Sequence, residues 1–198
     1  MPPLPPVTQA LLLANVAVFF LGELLGPGLL APFWLWPIGA NFWPWQIGTY
    51  AFIHGSFNHL FFNMLGLWMF GAELEQIWGR KRFITFFSAS VIAAALTQLL
   101  VNSLMGSGAP TVGASGGLFG LLLAFAMIFP NRIILLFFVI PLKAKYLVLG
   151  YGLLELYQGA YVMNSGVAHF AHLGGMLGGL LTIRYWRGQA PFGRRRGQ

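Results

Sequence analysis

The chain has 198 residues, of which 58% are hydrophobic and 8% are charged, and its mean hydropathy is +0.74. Soluble domains carry about 25% charged residues, so this composition excludes a soluble globular domain and predicts an all-α protein of the lipid bilayer. The sequence contains no cysteine and no aspartate. Their absence excludes disulfides, thiolate catalysis, thiolate metal sites and any catalytic aspartate.

Six apolar stretches predict a polytopic protein with six transmembrane helices, because each spanning helix needs about 20 residues. No basic residue precedes the first stretch, so we interpret it as a retained helix rather than a cleaved signal peptide. Residues 1–187 are predicted to form a single six-helix membrane domain. The predicted spans are 7–25, 57–78, 83–105, 115–130, 143–161 and 167–187.

The positions of the eleven cations predict the orientation of the chain in its membrane. With six spans, every cation falls on the side of the two termini and of the loops after spans two and four. The positive-inside rule makes that side the cytoplasm, and it explains the net charge of +7 without a nucleic-acid partner. The simple six-span form suits a bacterial inner membrane. The cations are Arg80, Lys81, Arg82, Arg132, Lys143, Lys145, Arg184, Arg187, Arg194, Arg195 and Arg196.

Three segments outside the spans have distinct compositions. Residues 26–56 are rich in Trp, Phe, Pro and Gly and carry no Lys, Arg, Asp or Glu, which suits the outer membrane interface. Residues 133–140 would rise only about 12 Å as a helix, too little to cross a bilayer. We expect a dip at the cytoplasmic side or a short extended piece there. Residues 188–198 are predicted to form a basic, disordered cytoplasmic tail that touches anionic lipid.

Polar side chains occur near the outer ends of three predicted spans. His59 and Asn63 lie one helical turn apart in span two, Ser115 begins span four, and His172 lies near the start of span six. Because these spans run in the same direction, their first turns share one depth in the membrane. Ionisable groups inside a bilayer are costly and are functional candidates by default.

These residue types predict nucleophilic catalysis by a serine. A serine hydroxyl is a weak nucleophile until a neighbouring base takes its proton, and imidazole suits that task near neutral pH. Ser115 would be the nucleophile and His172 its general base. His59 and Asn63, with the free N–H groups of a helix N-terminus, can donate hydrogen bonds to an oxyanion. Glu155 is given no role, so the expected unit is a Ser–His dyad.

Glycine pairs predict that spans four and six approach each other closely. Gly116 with Gly120, and Gly175 with Gly179, have the four-residue spacing of small faces that pack in membranes. Such an approach would bring the base within hydrogen-bond reach of the nucleophile. The same faces suit ordinary helix packing and dimerisation equally well.

At these residues the sequence resembles the rhomboid intramembrane serine proteases, over nearly the whole chain. Each motif is short, and the specificity comes from their combination and order on spans two, four and six. The motifs are His59-Leu60-Phe61-Phe62-Asn63, Gly113-Ala114-Ser115-Gly116, and Ala171-His172-Leu173-Gly174-Gly175 followed by Gly179.

The resemblance implies a six-helix core with a water-filled cavity open to the outside, and cleavage of transmembrane protein substrates near small residues. It implies Ser115 and His172 as catalytic residues and His59, Asn63 and Gly113 as residues for the oxyanion or substrate. No cofactor and no metal are expected. Residues 26–56 would be the loop inserted in the outer leaflet, and span five would gate lateral substrate entry.

The sequence departs from the family pattern at two positions. The Trp-Arg pair common in the loop is Trp45-Gln46 here, and the tyrosine one turn after the serine is Phe119. A phenyl ring can stack on the catalytic histidine but cannot donate a hydrogen bond. Two other histidines need an interpretation: His54 is expected to be structural, and His169 lies three residues before His172. The downstream glycine spacing favours His172 as the base.

The residue types that the sequence contains also limit which other functions are possible. An aspartyl protease needs two aspartates, and a zinc protease of the His-Glu-x-x-His type needs a motif that this sequence lacks. A zinc site of His59, His169 and His172 remains open, although it leaves the serine without a role. The main alternatives to a protease are a catalytically inactive rhomboid-like membrane chaperone and a small transporter.

Overall fold

A computed structural model describes residues 4–136, 139–161 and 168–191. The described chain is mostly helical, with one two-stranded sheet that an all-α assignment did not include. The principal elements are α1 (Pro6–Leu25), α2 (Gln46–Thr49), α3 (Phe57–Gly66), α4 (Ala72–Met105), α5 (Ser115–Ile128), β1 (Ile133–Leu136), β2 (Ile140–Lys143), α6 (Ala144–Tyr161) and α7 (His169–Trp186).

The helices follow the six predicted apolar stretches, because hydropathy is a local property of the sequence. A π-helical segment, Leu67–Gly71, joins α3 to α4 without a break. Within α4 the backbone leaves helical geometry only at Gly79, where φ is 75° and ψ is 164°. Glycine tolerates this positive φ. Gly79 therefore separates the second predicted span from the third.

Two of the described helical stretches are long and apolar enough to cross a membrane, namely Pro6–Leu25 and Phe57–Met105, the second of which contains the kink at Gly79. Ser115–Ile128 is also apolar, but its 14 residues are fewer than the roughly 20 that a span requires. α7 packs against both α4 and α5. The bundle is therefore centred on these three helices.

The segment after α5 is extended, which was one of the two forms predicted for residues 133–140. β1 and β2 pair antiparallel, with Ile133 opposite Lys143 and Leu136 opposite Ile140. Residues 137 and 138, between the strands, lie outside the described residues. Of the predicted tail, residues 188–191 are described as turn and irregular backbone, and the disorder predicted for the remaining residues falls on 192–198, outside the described chain.

Three contacts bring the basic ends of the helices together. The Arg132 guanidinium lies 3.1 Å from the Glu73 carboxylate, and the Arg82 guanidinium lies 5.7 Å from the centre of the Trp186 ring. At the same end, buried Glu75 accepts hydrogen bonds from the backbone N–H groups at the start of α1. The start of α1, the backbone kink at Gly79, the loop after Ile128 and the end of α7 thus share one end of the bundle.

The segment 26–56 is anchored to the loop that leads into α5. Leu35 and Thr111 exchange two backbone hydrogen bonds, of 3.0 and 2.9 Å, and Gly113 N–H donates to Tyr50 O at 3.0 Å. Fully buried Gln46 holds the segment itself, since it accepts from Trp36 N–H and donates to two backbone carbonyls. The packing of this segment therefore fixes the backbone just before Ser115.

Candidate active site

Ser115 and His172 meet where α5 and α7 begin. Ser115 is the first residue of α5, and His172 lies in the first turn of α7. Ser115 Oγ and His172 Nε2 are 2.8 Å apart, which is hydrogen-bond distance. When the imidazole carries its hydrogen on Nδ1, Ser115 donates to Nε2. The pair has the geometry of a nucleophile and its base.

Glycine permits this approach of the two helices. A β-carbon placed on Gly175 of α7 would overlap the Gly116 carbonyl oxygen of α5, and one on Gly179 would lie 3.2 Å from Gly120 Cα. At Gly175 no other residue fits without separating the two backbones. The predicted glycine faces therefore do meet, and they determine the distance between serine and histidine.

Phe119 stacks on one face of the His172 imidazole. Its ring lies parallel to that of His172, with the centroids 4.3 Å apart and the planes inclined by 4°. This confirms the stacking predicted from the sequence. Phe119 also packs edge-on against Tyr151 of α6, at 6.0 Å. The imidazole is therefore restricted in rotation on the side that faces α5.

The other side of His172 faces Glu155 of α6, which the sequence analysis left without a role. Glu155 Oε2 lies 3.0 Å from His172 Nδ1 and 2.6 Å from His169 Nδ1. All three residues are buried. The sequence signal that could have identified Glu155 is its position within an apolar stretch, because a glutamate there is rarely buried without a partner.

The residues predicted for the oxyanion lie on α3 and in the loop before α5. Asn63 is buried, and its Nδ2 donates to His59 O at 2.8 Å, which leaves the second amide hydrogen for another acceptor. Gly113 has a φ of 125°, and a β-carbon there would lie 2.7 Å from His59 Cε1 and Nε2. The Gly113 N–H already donates to Tyr50 O, so this glycine contributes space rather than a free donor.

His54 lies beside this group. Its ring is buried and packs edge-on against the His59 ring, with a centroid distance of 4.9 Å. It therefore restricts the position of the His59 ring. The structural role predicted for His54 agrees with this position.

The site opens into a cavity of about 1470 Å³. Ser115, His172, His59 and Asn63 all line it, together with residues of α4 and α6. A cavity of this size accommodates a short stretch of extended polypeptide as well as water. The four residues predicted to converge from three helices thus share one space.

A metal site involving all three predicted histidines does not form in the described chain. The group whose ligand atoms lie within 4.8 Å of one another consists of Glu155, His169 and His172, without His59. Tetrahedral zinc with bonds of 2.0–2.1 Å would separate its ligand atoms by about 3.3 Å. Contacts of 2.6 and 3.0 Å are shorter, so they fit a hydrogen bond and an ion pair better.

Comparison with known proteins assigns the family. A model of the rhomboid domain matches residues 41–188, which include every residue of the site described above. The chain belongs to the rhomboid family. Rhomboids are integral membrane proteins, and the family includes intramembrane serine proteases that act on transmembrane substrates within the bilayer.

Several curated rhomboids are similar to this chain. "Rhomboid protein 1, mitochondrial" of Saccharomyces cerevisiae is 37% identical over 66% of this chain and 38% of its own length. "Rhomboid protease GlpG" of Klebsiella pneumoniae is 29% identical over 88% and 61%. "Putative rhomboid protease YdcA" of Bacillus subtilis is 29% identical over 72% and 67%. The chain thus spans less than two thirds of the length of the first two of these relatives.

Proposed function

We propose that this chain is an intramembrane serine endopeptidase that cleaves transmembrane proteins near the outer face of its membrane. The observation that carries the proposal is the 2.8 Å distance between Ser115 Oγ and His172 Nε2. Membership of a family that includes proteases supports it. So does the cavity beside the serine, because hydrolysis needs water as well as substrate.

The reaction follows from the residue types. Ser115 Oγ attacks the carbonyl carbon of the scissile peptide bond while His172 Nε2 takes the hydroxyl proton. The imidazolium then gives that proton to the leaving amine, and the C–N bond breaks to leave an acyl-enzyme. A water molecule from the cavity attacks the ester in turn, with the same imidazole as base. Ser115 is regenerated when the acid product leaves.

The oxyanion of the tetrahedral intermediate would lie between α3 and the N-terminus of α5. The first N–H groups of a helix lack intrahelical acceptors and carry the positive end of its dipole. The Asn63 amide and the His59 ring border the same cavity as Ser115 and supply further donors. Each preorganised donor contributes about 10²–10³-fold in rate. Gly113 makes room for the His59 ring.

The proposed topology places six spans in the membrane, with both termini in the cytoplasm and the site near the outer face. The shared end of the bundle, with Arg132 beside Glu73 and Arg82 beside Trp186, supports one cationic side. That side would be cytoplasmic by the positive-inside rule. We propose a bacterial inner membrane as the location. Substrates would be membrane proteins that enter from the bilayer and expose a short unwound segment at Ser115.

Cleavage of a model transmembrane substrate tests the proposal. The wild type, Ser115→Ala and His172→Ala would be compared in liposomes, and the products located by mass spectrometry. We expect cleavage by the wild type near the outer end of the substrate helix and none by either variant. Equal cleavage by Ser115→Ala would overturn the assignment of the nucleophile. A folded wild type that leaves every model substrate intact would favour an inactive rhomboid-like protein or a transporter.

A further inference from the structure

Resting on the function proposed above, we infer that Glu155 is a positioning residue that acts through His172 to make the serine and histidine a three-residue unit. Its carboxylate oxygen Oε2 lies 3.0 Å from His172 Nδ1, on the opposite side of the ring from Ser115. Three groups are therefore arranged in the order hydroxyl, imidazole and carboxylate. This order is the one in which an acid orients a catalytic base.

The second contact of Glu155 fixes the position of its carboxylate. The same oxygen lies 2.6 Å from His169 Nδ1, one helical turn before His172 on α7. Glu155 is 7% exposed and His169 is 5% exposed, so both are largely removed from water. Glu155 lies on α6 and the two histidines lie on α7. The carboxylate therefore joins these two helices at the depth of the dyad.

The contact with His172 is at ion-pair distance but lacks the alignment of a hydrogen bond among the described residues. Such a contact acts mainly through charge. While His172 is neutral, the carboxylate attracts it weakly. Once His172 takes the proton of Ser115, the imidazolium and the carboxylate attract each other strongly in a site with little water. An interaction that strengthens in the transition state raises kcat rather than lowering KM.

One face and both nitrogens of His172 are thus held by residues of two neighbouring helices, α5 and α6. Phe119 of α5 stacks on the ring, Ser115 of α5 faces Nε2, and Glu155 of α6 faces Nδ1. Restricting the ring in this way holds Nε2 at the serine. A Ser–His dyad alone would leave Nδ1 without a charged neighbour. The carboxylate also favours the tautomer with hydrogen on Nδ1, which is the one that can accept from Ser115.

The test measures rate constants per folded molecule, so that loss of folding is separated from loss of catalysis. Thermal unfolding in detergent gives the folded fraction of each variant, and the labelling rate and the kcat and KM for a transmembrane substrate are then referred to that fraction. For Glu155→Gln we expect kcat to fall by up to about 10⁴-fold, the loss that follows replacement of the acid in a soluble triad. KM should stay within about threefold, because the described lining of the cavity does not include Glu155.

Three further variants make the test decisive. Glu155→Asp keeps the charge but moves it by one methylene, so it should restore part of the lost kcat and remain below the wild type. His169→Gln removes one contact of the carboxylate and leaves the other, so it should lose less kcat than Glu155→Gln. Glu23→Gln, an exposed glutamate on α1, should match the wild type in every rate.

The outcomes separate this inference from the function on which it rests. A kcat per folded molecule in Glu155→Gln equal to that of the wild type would overturn the inference while leaving the dyad intact. A wild type that neither labels nor cleaves would overturn both. If Glu155→Gln yields no folded protein, Glu155→Asp decides: an unchanged kcat per folded molecule contradicts the inference, and a reduced kcat at unchanged KM supports it.

Discussion

The Phe119 ring lies parallel to the His172 ring, with a centroid distance of 4.3 Å and an interplanar angle of 4°. Parallel stacking of this kind contributes about 0.5–1.5 kcal/mol beyond simple burial. It restricts the imidazole without donating a hydrogen bond to it. The contact therefore acts on the position of the His172 imidazole and not on its chemistry.

Replacing Phe119 should slow the acylation of Ser115. In Phe119→Ala the imidazole loses its stacking partner, and we expect the fluorophosphonate labelling rate per site to fall roughly 2–10-fold, which corresponds to that stacking energy. Phe119→Tyr keeps the ring and should label within about twofold of the wild type. An unchanged rate in Phe119→Ala would show that the stacking does not hold the base.

Because α5 and α7 pack closely at Gly175, one methyl group added at that position should strongly affect stability and labelling. Gly175→Ala would drive a β-carbon into the Gly116 carbonyl oxygen and push the two helices apart. We expect destabilisation by about 1–3 kcal/mol, the usual range for overpacking, and loss of most labelling because Ser115 and His172 separate.

Gly150→Ala on α6 is the matched control, since no heavy atom of the described residues outside its own helix lies within 4 Å of a β-carbon at that position. It should keep the wild-type melting temperature in detergent and the wild-type labelling rate. Equal behaviour of the two alanine variants would contradict the close approach of α5 and α7.

Gln46 should stabilise the segment that precedes the nucleophile. Its amide is fully buried and makes hydrogen bonds of 3.0–3.1 Å with Trp36 N, Pro32 O and Asn41 O. Gln46→Ala leaves these buried groups without that partner, at a cost of about 1–3 kcal/mol for each group left unsatisfied. We expect faster proteolysis within residues 26–56 and slower labelling of Ser115.

A single exposed hydrogen bond in the same segment provides the comparison for Gln46. Thr49 Oγ1 donates to Phe33 O at 2.9 Å, and Thr49→Val removes it with little change of shape. This variant should be digested at nearly the wild-type rate. Digestion of Gln46→Ala at that same rate would argue against a stabilising role for the glutamine.

Glu75 should be important for stability rather than for catalysis. Its carboxylate is 2% exposed and accepts from Val7 N–H, Thr8 N–H and Thr8 Oγ1 at 3.0, 2.6 and 2.8 Å. A carboxylate at a helix N-terminus satisfies free N–H groups and interacts favourably with the helix dipole. Glu75→Ala should lower the free energy of unfolding by about 1–3 kcal/mol or more, the cost of unsatisfied buried groups.

The neighbouring Glu73 offers a control for Glu75. It pairs with Arg132 at the surface, where an ion pair contributes about 0–1 kcal/mol. Glu73→Ala should therefore leave the melting temperature in detergent almost unchanged, and both variants should label at the wild-type rate per site. A larger loss of stability in Glu73→Ala than in Glu75→Ala would contradict this assignment.

The sequence predicted the helices and the residues that meet at the site, for physical reasons. A stretch of apolar residues predicts a helix without any knowledge of distant contacts, as α1 and the two parts of α4 around Gly79 illustrate. The convergence of Ser115 and His172 was predictable because glycines mark the faces that pack. Phe119 follows Ser115 by one turn on the same helix, so its stacking could also be foreseen.

Other contacts could not be predicted because they join residues distant in sequence. Glu75 caps α1 across 67 positions, and nothing near either residue specifies that pairing. Glu155 faces the histidines only because α6 has a particular rotation about its axis, and its largely apolar surface does not encode that rotation. The pairing of β1 with β2 was not predicted, because residues 133–140 were expected either as a dip at the cytoplasmic side or as a short extended piece, and eight apolar residues between prolines do not specify a register.

The most direct test of the account is fluorophosphonate labelling of the purified protein, with the modified residue located by peptide mass spectrometry. We predict a single phosphonylated residue, Ser115, in the wild type and no labelling in Ser115→Ala or His172→Ala when both variants remain folded. Modification of another serine, or labelling of His172→Ala at the wild-type rate, would contradict the claim that His172 activates Ser115.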